Sequence, residues 1–510
     1  MKTSLHNYFF VLSVIGGACF VANIASAQGG VPLWTNRYSG IGNDTAKALA
    51  VDTNGNVFVT GYSARTFASS YYDFATIKYS SSGLALWTNR YDGPGNGDDQ
   101  AVAIAVDQNG NVIVTGYSAD ISNSAYDYVT IAYSNSGVAL WTNRYDGPES
   151  GDDEAAAVAV DTDGNVFVTG FSHATSGGND YATIAYSSAG IPLWTNRYNG
   201  LLNTDDSATA IVVNNSGNVF VTGRALEGGG YSFTTIAYSN VGVGLWTNRF
   251  SLQGNSFSAG KAIAADQDGN VVVTGYSGSG SSTSYDYATV KYSAAGSPLW
   301  TNRYNGSANT TDQATAIAVD SIGNVLVAGY SGGSGSGPDY VTIKYSGSGV
   351  PLWTNHYNGP ANNVDQATGV AVDADHNVFV TGFSTASGRD YATVAYSSDG
   401  VPLWTNRYNA PNNGTDFAAG VAADRSGNIF VTGTSSGTFA SDFATIKYGP
   451  TVLLKIGRIA DQAVLSWANP TFGLQSAPTV TGTFTNVPDA TSPHTNSITG
   501  AQQFFRLKAN

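Results

Sequence analysis

The sequence predicts an all-β fold: an eight-bladed β-propeller closed by its N-terminal strand, with a small β-sandwich after it. Three observations carry the prediction. A motif, LWTNRY, recurs at near-constant spacing. Each interval holds four short runs of β-branched and aromatic residues. A surplus copy of the motif at the start, Leu33–Tyr38, matches a missing one at the end.

The motif tryptophans are Trp34, Trp87, Trp141, Trp194, Trp246, Trp300, Trp353 and Trp404, separated by 53, 54, 53, 52, 54, 53 and 51 residues. In the second interval the runs are Ala101–Val106, Asn111–Thr115, Tyr126–Tyr133 and Leu140–Tyr145, each bounded by Gly, Asn, Ser or Pro. No gap between turn signals is long enough for several helical turns, so each interval reads as a four-stranded antiparallel sheet. One such sheet has two faces to cover and two edges to protect. Radial stacking covers both faces, and that arrangement is a propeller. With the strands named A to D, eight copies of A, B and C precede Tyr448, while the first D is the isolated Leu33–Tyr38. Pairing that strand with the last A-B-C sheet leaves no half-blade over.

GNVFVTGYS, DYATIKYS and LWTNRY resemble the SBBP repeats, the "seven-bladed β-propeller" repeats of secreted bacterial proteins, over residues 31–448. The family name implies seven blades, whereas eight are counted here. The resemblance implies no common reaction or ligand.

Composition bounds the compartment and the partners. Lys2, the apolar run Tyr8–Val21 and the small residues Ala25-Ser26-Ala27 form the pattern of a cleaved export signal. The expected divisions are a signal at 1–27, the propeller at 28–448 and a C-terminal β-sandwich at 449–510, and the protein is expected to be secreted or held at the cell surface. The sole cysteine, Cys19, lies in the leader, so the mature chain has no thiol chemistry and relies on its core. The net charge of −14 becomes −15 when Lys2 leaves with a leader that holds no Asp or Glu. That balance disfavours nucleic acid and anionic membranes, and no later run is apolar and long enough to cross a bilayer. A monomer is expected.

Between strands A and B the chain reads Asp52-Thr-Asn-Gly-Asn56 and close variants. A calcium loop needs ligands over twelve residues with a closing Glu, which the next strand forbids, so these are hairpin turns in which Asp accepts amides and Gly takes positive φ. His376, standing where other units have Gly, fits the same role. Alternation in strand D puts Trp, Asn and Tyr on one sheet face, which makes Trp a packing residue between blades.

The candidate site residues are acids at the entrance to strand A: Asp44, Asp99, Asp153, Asp206, Asp312, Asp365 and Asp416. A second set, Asp73, Asp127, Asp180, Asp286, Asp339, Asp390 and Asp442, precedes strand C. The D–A and B–C loops emerge on one side of the disc, so both sets belong to one face, with the first near the mouth of the central channel. Each Asp either staples its own loop or joins others to hold a cation, calcium being the candidate ion; no other cofactor is expected. Ser232 and Ser258 break the two sets in adjacent units, beside the irregular stretch Glu227-Gly-Gly-Gly-Tyr231, and mark units four and five as different. The B–C loops, such as Ser277–Ser284 and Ser331–Gly337, are Gly/Ser-rich and vary between units.

The mature histidines, His173, His356, His376 and His494, are scattered, and no catalytic set is recognisable. The first reading of function is a non-catalytic extracellular scaffold binding a glycan or protein through the D–A/B–C face. The alternatives are a polysaccharide lyase or glycosidase drawing an acid and a base from the two sets, and a quinoprotein-like dehydrogenase. After Tyr448 the period ends, and Val452–Asn510 reads as five or six strands with Trp467 in their core.

Overall fold

The computed structural model describes residues 12–15, 18–21, 26–66, 71–122, 125–174, 178–228, 230–251, 256–279, 284–333, 337–410, 413–437, 440–459, 462–467, 472–479, 483–497 and 504–509. Every regular element among them is a β-strand, and none is a helix that could cross a membrane. The chain is all-β and propeller-like, built of repeated antiparallel A-B-C-D sheets in which each strand pairs with its neighbour in sequence. In unit one these strands are Asp44–Val51, Val57–Ala64, Tyr72–Tyr79 and Ala85–Tyr91. No sheet closes on itself. Six of the units stand as separate four-stranded sheets, and units four and five are joined into one of eight strands.

The A–B turns form as their residues dictate. Asp52 Oδ1 accepts the amides of Asn54 and Asn56 at 2.9 and 2.8 Å, and Gly55 takes φ +75°. His376 adopts φ +63° in the equivalent turn. In the B strand the glycine of VFVTGYS is compulsory, because a Cβ on Gly61 would strike the carbonyl of Thr45 at the bulge in strand A.

The core lies between sheets rather than within them. Phe58 and Phe74 of unit one are buried against Val112, Val114, Val129 and Ile131 of unit two, each ring contributing about 2–3 kcal/mol by leaving water. Similar clusters join each later unit to the next. The last, with Phe430 and Phe443 of unit eight against Val57, Val59 and Ile77, returns to unit one. Each motif tryptophan sits in such a seam; Trp87, for example, lies 6.0 Å from both Phe58 and Tyr133.

The strand Pro32–Tyr38 pairs antiparallel with Ser441–Tyr448, Trp34 opposite Lys447, in the register that sets Trp87 opposite Lys78 in unit one. Elsewhere a C–D turn links these two strands, and the preceding unit holds that turn: Trp34 Nε1 donates to Ser81 O at 3.2 Å and Asn36 Nδ2 to Gly83 O at 2.6 Å. Unit seven has no such turn to hold. There Trp404 Nε1 donates to Thr451 Oγ1 at 2.8 Å and Asn406 Nδ2 donates to Gly30 O. Gly30, at φ +71°, replaces the turn glycine.

The C-terminal residues form two small sheets around Val452, Leu454, Leu465, Trp467, Leu474, Phe505 and Leu507. Trp467 is a buried core residue whose Nε1 donates to Phe472 O at 2.9 Å. Ser26–Gln28 adds a strand to this part by pairing with Val452–Leu454, so the division placed after Ala27 falls within a strand. Leu12–Ile15 pairs with Ala18–Val21.

Candidate functional site: the face bearing the D–A and B–C loops

The seven acids at the strand A entrance are all fully buried, at 0% exposure. Of the two roles open to these acids, loop staple or cation ligand, the contacts are those of the staple: each carboxylate accepts an amide of its own D–A loop. The D–A loop amides of Gly93, Gly147, Gly306, Gly359 and Ala410 donate to Asp99, Asp153, Asp312, Asp365 and Asp416 at 2.6–2.8 Å. Gly40 does the same for Asp44 at 2.5 Å, and Gly200 for Asp206. The second oxygen of Asp153, Asp206, Asp365 and Asp416 accepts an amide at the end of strand B. These four thus tie a D–A loop to the end of strand B, while Oδ1 of Asp44, Asp99 and Asp312 is buried without a hydrogen bond. Burial pushes the Asp44 carboxyl up to about 6, with the Ser63 hydroxyl and the Gly40 amide pulling the other way, and raises Asp99, Asp153, Asp206, Asp312 and Asp416 for the same reason.

The second set is met by the arginine of LWTNRY, a partnership the sequence reading missed. Arg37, Arg90, Arg144, Arg197, Arg303 and Arg407 pair with Asp442, Asp73, Asp127, Asp180, Asp286 and Asp390 at 2.6–3.1 Å. Several of these guanidinium groups also reach the strand B serine, as Arg90 does to Ser63 at 2.5 Å, and Arg37 reaches Tyr408 of the preceding unit at 2.9 Å. The signal was present as a fixed offset, since within a unit the Asp and the Arg stand 17 residues apart.

Two units break the pattern. In unit six His356 replaces the arginine and contacts Tyr304 OH through Nε2 at 3.2 Å. Asp339 Oδ1 is left without a hydrogen bond, and burial together with Asp365 raises its carboxyl to about 6. In unit four Ser232 replaces the acid, and Arg249 turns to Glu227 and to Tyr198 OH, the latter at 2.7 Å. The Glu227–Tyr231 stretch, read as irregular, continues the strands as a hairpin with Glu227 opposite Gly230.

Acids of both sets meet at unit boundaries. Asp73, Asp92 and Asp99 bring carboxylate oxygens within 4.8 Å of one another, as do Asp127, Asp146 and Asp153. The first group contains its own cation: Arg65 reaches Asp73 at 2.6 Å, Asp99 at 3.7 Å, and Asp92. Asp120 occupies the equivalent sequence position in unit two. The B–C loop segments 280–283 and 334–336 lie outside the described residues.

The SBBP β-propeller repeat model matches residues 33–64 and 403–440. The chain carries repeats of this propeller-type family. It is 24% identical to an uncharacterized WD repeat-containing protein, L264, of Acanthamoeba polyphaga mimivirus, over 79% of this chain and 36% of the relative. The chain therefore spans about a third of that relative's length. Among solved structures it is similar to Sqt1 from Chaetomium thermophilum bound to the N-terminus of ribosomal protein L10, with a TM-score of 0.50, 10% identity, and coverage of 81% of this chain and 98% of that one. It also aligns with polysaccharide lyase Uly1 at a TM-score of 0.43 and 13% identity, over 68% of this chain and 89% of the other. At 10% identity the likeness to Sqt1 shows the fold alone.

Proposed function

We propose that the chain is an exported, non-catalytic, eight-bladed propeller closed by its N-terminal strand, monomeric, and binding an extracellular glycan or protein through the face that carries the D–A and B–C loops. The return of the core to unit one and the pairing of Pro32–Tyr38 with Ser441–Tyr448 support the blade count and the closure. One observation carries the functional reading. The repeated acids of this face are taken up in unit after unit by loop amides and by the motif arginines, so their chemistry serves the scaffold and recognition falls to the parts that vary. The C-terminal sandwich is assigned to attachment at the cell surface. Binding of the full chain to a glycan array and to bacterial cell walls tests this reading; retention on neither opposes it.

A second reading, an enzyme acting on polysaccharide, is favoured by unit six, where Asp339 carries a raised pKa and an unpartnered oxygen. Release of reducing ends from polysaccharides by the native chain, and not by Asp339→Asn, would establish it.

A further inference from the structure

The loop-bearing face is acidic by repetition, and one boundary reverses the rule. Where Asp73, Asp92 and Asp99 meet between units one and two, and Asp127, Asp146 and Asp153 between units two and three, the corresponding residues between units four and five are Ser232, Ser251 and Ser258. Both repeated acids are gone; the middle position is Asp only in units one and two.

Two cations appear at the same boundary. Arg224 stands where Tyr62, Tyr117 and Tyr276 stand in units one, two and five, and Lys261 where Thr209, Thr315 and Thr368 stand in units four, six and seven. Among the described residues neither has a carboxylate within ion-pair distance; Glu227, the acid added to this unit, is held by Arg249. Their neighbours are aromatic instead. Arg224 lies 4.8 Å from the centre of the Tyr231 ring and Lys261 lies 5.7 Å from that of Tyr276. Tyr231 and Phe257 approach to 6.2 Å, and Phe257 is 38% exposed. The two cations feel each other: burial and Arg224 both lower the Lys261 pKa, so an anion placed between them relieves a like-charge repulsion. The boundary is also bridged by backbone. Tyr231 pairs with Phe257 in parallel, the one place among the described residues where two units share a backbone pairing.

We propose that this boundary binds a carboxylated saccharide, with a uronate carboxylate shared by Arg224 and Lys261 and the apolar face of a sugar ring laid on Phe257. Cations that lack an internal partner supply charge-assisted hydrogen bonds, and exposed aromatic rings supply a flat apolar surface. A pair of cations on a chain of net charge −14 suits an isolated carboxylate, while a phosphate backbone of high charge density is repelled. The inference rests on the reading of this face as the binding face, and narrows its ligand.

Isothermal titration of the full chain with a neutral oligosaccharide ending in a single galacturonate tests it, beside the same oligosaccharide without the uronate and a glutamate peptide. The variants Arg224→Tyr and Lys261→Thr carry residues that sister units hold at these positions, so the sheet accommodates them; Lys47→Thr removes a lysine at the equivalent position of unit one. Binding of the uronate that weakens with salt, falls at least tenfold in the double variant and is unchanged in Lys47→Thr supports the proposal. Equal binding by the double variant overturns it, as does a glutamate peptide bound as tightly as the uronate. A neutral oligosaccharide bound as tightly as the uronate overturns this inference and leaves the binding-face reading standing. Absence of binding to all three probes overturns the inference, and the array decides the wider reading.

Discussion

Trp404 donates its indole N–H to the side-chain oxygen of Thr451 at 2.8 Å, whereas the seven other motif tryptophans donate to a main-chain carbonyl in the next unit's C–D turn. The difference marks the place where the chain is cut. Residues on either side of the repeats, Gly30 and Thr451, rebuild together the hydrogen-bonding surface of a turn that the covalent chain does not supply there. Gly30 and Thr451 are thus bonded to unit seven, while Pro32–Tyr38 pairs with Ser441–Tyr448.

Gly30→Ala tests that imitation. Gly30 sits at φ +71°, and an added Cβ would lie 2.5 Å from the Trp404 ring; at Gly349, a covalent turn glycine at φ +86°, it would lie 2.6 Å from Trp300. Backbone strain and displacement of the indole should cost about 2–4 kcal/mol at either position. Denaturant unfolding should show the two variants losing comparable stability; a neutral Gly30→Ala beside a damaging Gly349→Ala would show that Gly30 does not act as a turn residue.

Equivalent acids should respond in opposite directions. Asp390 is paired with Arg407 at 2.8 Å, so Asp390→Asn strands a partly buried guanidinium and should cost about 1 kcal/mol at pH 7. Unit six carries His356 where the other units carry the arginine, and the Asp339 pKa is raised by burial and by Asp365 to about 6. A carboxyl with a raised folded-state pKa holds its proton more tightly when folded, so stability falls as pH rises from about 4 to 6. Asp339→Asn removes that loss. It should stabilise the protein at pH 7 by about 1 kcal/mol, after discounting for partial exposure, with the gain gone below pH 4. Melting curves from pH 4 to 7 give the sign directly.

Much of the fold was legible because the repeat makes the sequence its own comparison. The strands, the Asp-x-x-Gly-Asn turns and the inward tryptophans follow from periodicity and local chemistry. What escaped the reading depends on residues far apart in the chain. Gly30 and Thr451 meet because the ends converge, and no local pattern announces a divided turn. The Asp–Arg pairs were within reach, and unit four even shows the exchange, Ser232 arriving as Arg249 moves to Glu227. The joining of units four and five through Tyr231 and Phe257 had only the two serines as its sign.

The acids at the strand A entrance should behave as staples. Asp365 is fully buried and accepts Gly359 N at 2.6 Å and Thr385 N at 3.1 Å. Asp365→Ala leaves two amides unpaired and should cost about 2–4 kcal/mol. The melting midpoint of the native chain should be the same in calcium as in chelator, because each of these carboxylates is buried and already accepts a loop amide; a rise of several degrees with calcium would assign the acids a metal role instead.

Hydrogen exchange of the amides in residues 32–38 of the folded chain tests the central claim most directly. Closure by this strand predicts protection equal to that of other D strands such as Pro192–Tyr198 and Pro402–Tyr408, persisting until the propeller unfolds as a whole. Exchange of those amides at the rate of an unstructured peptide, with the remaining D strands protected, would contradict the account.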